Sequence, residues 1–175
     1  MSNFDYLFDH DEFKKISQAC IKRVKRELTI IVESDIAYHG SFGSTIETDE
    51  FGNKYLLISI YNNNDDKYYE FKFQNNYPFT PPKLNLNFKP YLYYLKAKSN
   101  EFTIILSKLK KIRCLCCDTI TCPDNWSPAF TIIKIMDEVS RYHKICREIA
   151  DFVIIKVIKR KYLIDDINIL EWLYY

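Results

Sequence analysis

Apolar positions near the start of this chain recur at spacings of three and four. They fall at Phe13, Ile16, Cys20, Val24, Leu28 and Ile31, one stripe of an amphipathic helix over 13–31. Lys14, Lys15, Lys22, Lys25 and Arg26 crowd the rest of that helix, and such a charge run is usually a solvated face. The period then changes. Residues 42–47 read as a short strand, 49–53 supply turn chemistry, and 54–61 are β-branched and aromatic. After a polar hairpin loop at 62–66, residues 67–74 alternate as a half-buried strand does, and 84–88 alternate again as a fourth, edge strand.

Between the last two strands stand Pro78, Pro81 and Pro82. They remove backbone donors and fix φ, which predicts a rigid, extended loop over 76–83. The tyrosine- and lysine-rich stretch 90–112 is read as a strand over 102–106 and a helical turn over 106–111. Beyond it, Ile132, Ile135, Met136, Val139, His143, Cys146 and Ile149 keep a helical stripe. Residues 152–158 are more continuously apolar, and Asp165-Asp166 interrupts before a final run carrying Trp172, Tyr174 and Tyr175. The sum is an α+β chain: an N-terminal helix over the apolar face of a four-stranded antiparallel meander, then C-terminal helices. Residues 1–12 form an acidic, aromatic arm or short helix, 13–150 the domain, and 151–175 a helical extension packed on it.

Composition narrows the function. A formal charge of +2 gives no case for general polyanion binding, so no nucleic-acid partner is expected. There is no signal peptide and no apolar run long enough for a bilayer, which predicts a cytoplasmic, reducing setting without a membrane partner. Cysteines there are free thiols or metal ligands rather than a disulfide framework. Heavy use of Asn, Ile, Lys and Tyr is what an AT-rich coding sequence produces, so single residues of those types carry little weight.

The chemistry concentrates at 114–129, CLCCDTITCPDNWSPA, where four of six cysteines fall within nine positions. Cys114, Cys116, Cys117 and Cys122 are enough sulfurs for a zinc site. Against that, adjacent Cys116 and Cys117 are awkward joint ligands, Cys-x-x-Cys pairs are absent, and no glycine lies nearby. A thiol reading therefore stands above the metal one, and no cofactor is expected. Cys20 and Cys146 lie on helical stripes as core residues. His10, His39 and His143 are scattered, without the local signature of a Cys-His hydrolase.

Taken in order, helix, meander, Tyr77-Pro78-Phe79-Thr80-Pro81-Pro82-Lys83, Lys89 and Tyr91, the cysteines, Trp126-Ser127-Pro128-Ala129 and Thr131-Ile132 resemble the ubiquitin-conjugating enzyme (E2) family over roughly residues 13–150. The resemblance implies the UBC-like fold and an acyl carrier. Such an enzyme takes the C-terminal carboxyl of ubiquitin, or a ubiquitin-like protein, from an activating enzyme (E1) as a cysteine thioester. It then passes the acyl group to a substrate lysine or a ligase cysteine, and a thiolate suits both steps. By the family's spacing to an aliphatic residue and to Trp126, Cys117 is the implied nucleophile, with Cys114 second. Phe79, Pro128 and Ala129 match positions that contact RING- or HECT-type ligases (E3). Lys14, Lys15 and Lys22 fall on the face presented to the activating enzyme. The structural alternative for Phe79 is packing under the proline loop, and for Pro128 the first turn of the next helix.

One family feature is missing. The His-Pro-Asn tripeptide should follow Tyr91, where this chain has Leu92-Tyr93-Tyr94. Its asparagine is the family's amide donor to the oxyanion formed by lysine attack, and no spacing argument puts Asn100 or Asn125 in that role. The departure favours transfer to a ligase cysteine, or a catalytically inactive variant that binds ubiquitin or a partner enzyme. A zinc-stabilised interaction module is the more distant alternative.

Overall fold

The computed structural model describes residues 4–8, 11–33, 40–63, 66–96 and 99–162. His10, His39, Trp172, Tyr174 and Tyr175 lie outside the described residues, as do parts of the arm and of the extension.

The arm is not a separate appendage. Two 3-10 turns, Asp5–Phe8 and Asp11–Lys15, bury Phe4, Leu7, Phe8 and Phe13 in the core. Helix α1 follows at Gln18–Glu33, later than the apolar period implies, and Ile16, Cys20, Val24, Leu28 and Ile31 are all buried as the stripe predicts. Strands β1 (Gly40–Thr48), β2 (Lys54–Asn62), β3 (Lys67–Phe73) and β4 (Lys83–Leu86) form the antiparallel meander. The β1–β2 turn is set by Asp49, whose carboxylate accepts from the backbone amides of Phe51 and Asn53 and from the Tyr55 hydroxyl. Gly52 supplies the turn's positive φ of 80°, a region other residues enter only with strain.

Register puts one apolar face together. Leu56 pairs with Phe73, Ile58 with Phe71, Ile60 with Tyr69, and Tyr69 and Phe71 with Leu86 and Leu84. All eight are buried, as side chains sharing one face of a period-two strand must be when that face is covered. The α1 stripe joins the same core, as do Ile132, Ile135, Val139, Tyr142, Ile145 and Ile149 of the long helix α5, Ile132–Tyr162.

Several expectations need correction. The sheet has five strands, because Asn87 and Phe88 turn back at positive φ and Lys89–Pro90 pairs with β4 as a short β5. The proline segment is a tight turn rather than an extended loop: Tyr77 and Phe79 amides donate to the Gln74 and Asn76 carbonyls, and the Tyr77–Pro78 peptide is cis. Residues 102–106 are not a strand. After the five-residue helix α2 (Tyr91–Leu95), Ser99 caps α3 (Asn100–Lys110), its hydroxyl accepting from the Phe102 amide. Phe102 and Leu106, four apart, supply its buried face, so the helical period wins over β propensity. In α5, Tyr142 and Ile145 take the core positions, while His143 is exposed and Cys146 half-buried. Helix α5 runs without interruption from Ile132 to Tyr162, across the boundary drawn at 151. Among the described residues no helix is long and apolar enough to cross a membrane.

Candidate active site

The cysteine segment forms a single helical turn, α4 (Leu115–Asp118), with Cys114 extended before it. Leu115 anchors the turn in the core at 1 % exposure, whereas Cys117 is exposed and Cys116 half-buried. The Asp118 and Thr119 amides donate to the Cys114 and Leu115 carbonyls and close the turn.

Helix α5 braces the loop that leaves this turn. Glu138 is buried and accepts from the Thr119 hydroxyl and from the Ile120 amide at 2.8 Å. One turn later the Tyr142 hydroxyl donates to Asp118 at 2.7 Å. Burial pushes the Glu138 carboxyl above its ordinary range, against the pull of the Thr119 and Ile120 hydrogen bonds and of Arg141. Asn125 completes the loop, its amide donating to the carbonyls of Cys117 at 2.6 Å and Thr119 at 3.1 Å. An asparagine amide therefore sits on the backbone of the predicted nucleophile. Both its protons are taken up by carbonyls of the loop. Asn100 begins α3 and makes no such contact with the cysteine turn.

Trp126 fastens the far side of the loop. Its indole N–H donates to the Pro78 carbonyl at 2.7 Å. Its ring continues a row of aromatic contacts from Phe73 through Tyr77 to Phe130, with centroids 4.7, 6.2 and 5.7 Å apart in turn. Behind it lies a buried ionic centre. Glu27 of α1 is 2 % exposed and accepts from Arg23 Nε, from the Tyr77 hydroxyl at 2.7 Å and from the Ile132 amide at 2.8 Å. Arg23 Nη2 donates to the Pro128 and Phe130 carbonyls, each at 3.1 Å. One carboxylate thus ties α1, the proline turn and the start of α5 together.

The predicted residues fare unequally. Cys117 is the exposed sulfur of the turn and carries a free thiol. Cys114, the second candidate, is bonded to Cys116 as a disulfide and offers no thiolate in that state. That bond departs, for this pair, from the expectation of free thiols or metal ligands: a two-residue separation and a Cα–Cα distance of 5.4 Å bring the two within bridging reach. Cys122 is half-buried and free. Phe79 is 77 % exposed rather than packed beneath the prolines. Pro128 and Ala129 lie at the surface beside the loop, with Pro128 four residues before α5 rather than in its first turn. Trp126 joins the two loops that carry these three residues through its hydrogen bond to Pro78. Lys14 and Lys15 lie on the 3-10 turn before α1 and Lys22 on α1; all three are exposed, and Lys14 pairs with Asp11 at 2.5 Å.

Arg23, Glu27 and Glu138 were missed by pattern reading. A signal existed for Glu27, which stands seven residues after Cys20 and three after Val24, on the apolar face of its helix. An acid there is either a flaw or a buried partner. Glu138 gives a similar signal, three residues after Ile135 and adjacent to Val139. No protein-family model, curated protein or solved structure matches this chain.

Proposed function

We propose that this chain is a UBC-like acyl carrier that holds ubiquitin, or a ubiquitin-like protein, as a thioester on Cys117. The observation that carries the reading is one exposed free thiol on a turn braced by α5 and bordered by the Trp126 loop. The Cys117 thiolate attacks the carbonyl of the modifier's thioester on an activating enzyme, and that enzyme's thiol leaves. The same exchange, run onto a ligase cysteine, releases Cys117. A sulfur in the open admits both bulky partners in turn, and thiol–thioester exchange needs only a thiolate and access.

Transfer to a ligase cysteine is favoured over direct transfer to lysine. In place of the His-Pro-Asn tripeptide the chain has α2, whose Tyr91 and Leu95 are buried. The amide beside Cys117 is Asn125, already committed to two loop carbonyls, and lysine attack calls for a donor aimed at the developing oxyanion. Phe79, Pro128 and Ala129 form the ligase surface in this reading, and Lys14, Lys15 and Lys22 the surface for the activating enzyme. The test is incubation with activating enzyme, ATP and ubiquitin, followed by electrophoresis with and without reductant. A reductant-sensitive adduct absent from Cys117→Ala supports the carrier. No adduct on the wild-type chain, with ubiquitin still bound non-covalently, moves the assignment to an inactive binding variant. Charge reversal at Lys14, Lys15 and Lys22 should slow loading without unfolding the chain; unchanged loading removes that surface from the proposal.

A further inference from the structure

The turn at α4 gathers more sulfur than one nucleophile requires. The Sγ atoms of Cys114, Cys116 and Cys117 all lie within 4.8 Å of one another, the one such cluster of possible metal ligands among the described residues. Those of Cys116 and Cys117 are 3.9 Å apart. A thiolate-bound ion with metal–sulfur bonds of about 2.3 Å separates its sulfurs by about 3.8–4.0 Å, in tetrahedral and trigonal geometry alike. One edge of such a site is thus already drawn, and the third sulfur, that of Cys114, lies within 4.8 Å of both others. The backbone beneath is fixed by the Asp118 and Thr119 amides and by buried Leu115, so little ordering remains to be done on binding. Cys122, the fourth sulfur of the sequence cluster, stands outside the group.

We propose that the reduced triad Cys114, Cys116 and Cys117 binds one soft, thiophilic d10 cation, with monovalent copper the preferred ion. An all-sulfur donor set disfavours hard cations such as magnesium and calcium. Three protein ligands suit copper(I), whereas structural zinc nearly always takes four. A dithiol or phosphine reductant supplies the two electrons that open the Cys114–Cys116 bridge to two thiols. The ion then forms three metal–sulfur bonds as the thiols give up their protons. Disulfide and metal are therefore exclusive states of the same sulfurs, and the metal also covers Cys117. The site itself does not depend on the carrier reading.

The experiment uses the full chain, reduced with a phosphine and titrated without oxygen. Copper(I) is measured against a chromophoric copper(I) chelator, and zinc in parallel against a chromophoric zinc chelator. One copper(I) per chain is expected, with affinity at least tenfold weaker in each of Cys114→Ser, Cys116→Ser and Cys117→Ser and unchanged in Cys122→Ser. Bound copper should slow iodoacetamide alkylation of Cys117 at least tenfold, a readout that needs no modifier or activating enzyme. Circular dichroism confirms that each variant folds, and Cys→Ala replaces any serine variant that does not. Wild-type affinity in Cys114→Ser or Cys116→Ser would mean adventitious binding at one exposed thiol and overturns the site. Equal weakening in Cys122→Ser overturns the choice of ligands, and preference for zinc overturns the copper assignment.

Discussion

Truncating Glu27 to alanine should cost this protein much of its stability. The carboxylate is 2 % exposed, and two of its donors are buried as well, Tyr77 at 2 % and Ile132 at 0 %. Alanine leaves the Tyr77 hydroxyl and the Ile132 amide without an acceptor, while Arg23, whose side chain is 26 % exposed, turns toward water. Each orphaned buried donor costs about 1–3 kcal/mol, so the pair costs about 4 kcal/mol. With a urea m value of about 2 kcal/mol/M, that moves the unfolding midpoint down by about 2 M. Tyr77→Phe removes one donor and leaves the carboxylate two others, for a loss of about 1 kcal/mol. The double variant should lose less than the two singles added together, because the hydroxyl orphaned by the first change is absent in the second. Urea titration followed by circular dichroism measures all three. A Glu27→Ala midpoint shifted by no more than an exposed substitution gives, about 0.5 kcal/mol, would refute the claim that this carboxylate is the junction of three elements.

Glu138 provides a test by pH. Its folded carboxyl lies above the ordinary 4.5, chiefly through burial, with Asp118 adding to the rise and Arg141 opposing it. The folded chain then binds that proton more tightly than the unfolded one, so the contribution is present below about pH 4.5 and lost as pH rises through the folded value. Glu138→Gln cannot titrate, and its stability relative to wild type should improve from about pH 4 to about pH 7; parallel stability curves would contradict this. Thiol reactivity separates Cys117 from Cys20, which is fully buried and whose thiol is pushed up to about 12 by burial and by Glu27. In the native chain a disulfide-exchange reagent should modify Cys117 promptly and Cys20 only on unfolding, and labelled-peptide mapping reads the order. Trp126→Phe deletes the hydrogen bond to Pro78 and should cost about 1 kcal/mol by urea titration; no loss would mean that the indole N–H does not hold the two loops together.

Much of this fold is legible because burial on one face leaves a period in the sequence. The stripe from Phe13 to Ile31 and the alternation in β3 place their side chains correctly. The misreadings share a cause. At 102–106 a run of Phe, Thr, Ile and Ile favours strand by residue type, yet Ser99 caps a helix whose buried positions stand four apart. At His143 the expected stripe drifts by one residue, and Tyr142 takes the interior. In a helix only the packing partner decides between adjacent positions at the edge of the apolar arc. The candidate site was legible in its sulfurs and its tryptophan but not in its supports. Glu27 and Glu138 act through partners 105 and 18 residues away in the chain, and separations of that kind leave no periodic trace. The Cys114–Cys116 bridge was invisible for a different reason. Compartment arguments weigh disulfides across a whole chain, whereas two cysteines two residues apart need only a local bend to meet.

The different fates of the clustered sulfurs follow from one leucine. Successive residues of a helical turn are rotated by about 100°. With Leu115 pinned in the core, Cys116 points about 100° away and Cys117 about 200° away, which takes Cys117 to the side opposite the core. The observed order, buried Leu115, half-buried Cys116 and exposed Cys117, is that progression. Cys114 precedes the turn in extended conformation, so its side chain escapes the helical rotation and can reach Cys116. Moving the apolar anchor by one residue would put Cys117 about 100° from it, in the half-buried setting that Cys116 has now. In Leu115→Ser/Cys116→Leu the turn should rotate to bury the relocated leucine, and Cys117 should lose its prompt reactivity toward iodoacetamide. Undiminished alkylation of Cys117 in that variant, with the fold retained by circular dichroism, would show that the loop beyond, held by Glu138, Tyr142 and Asn125, orients the sulfur instead.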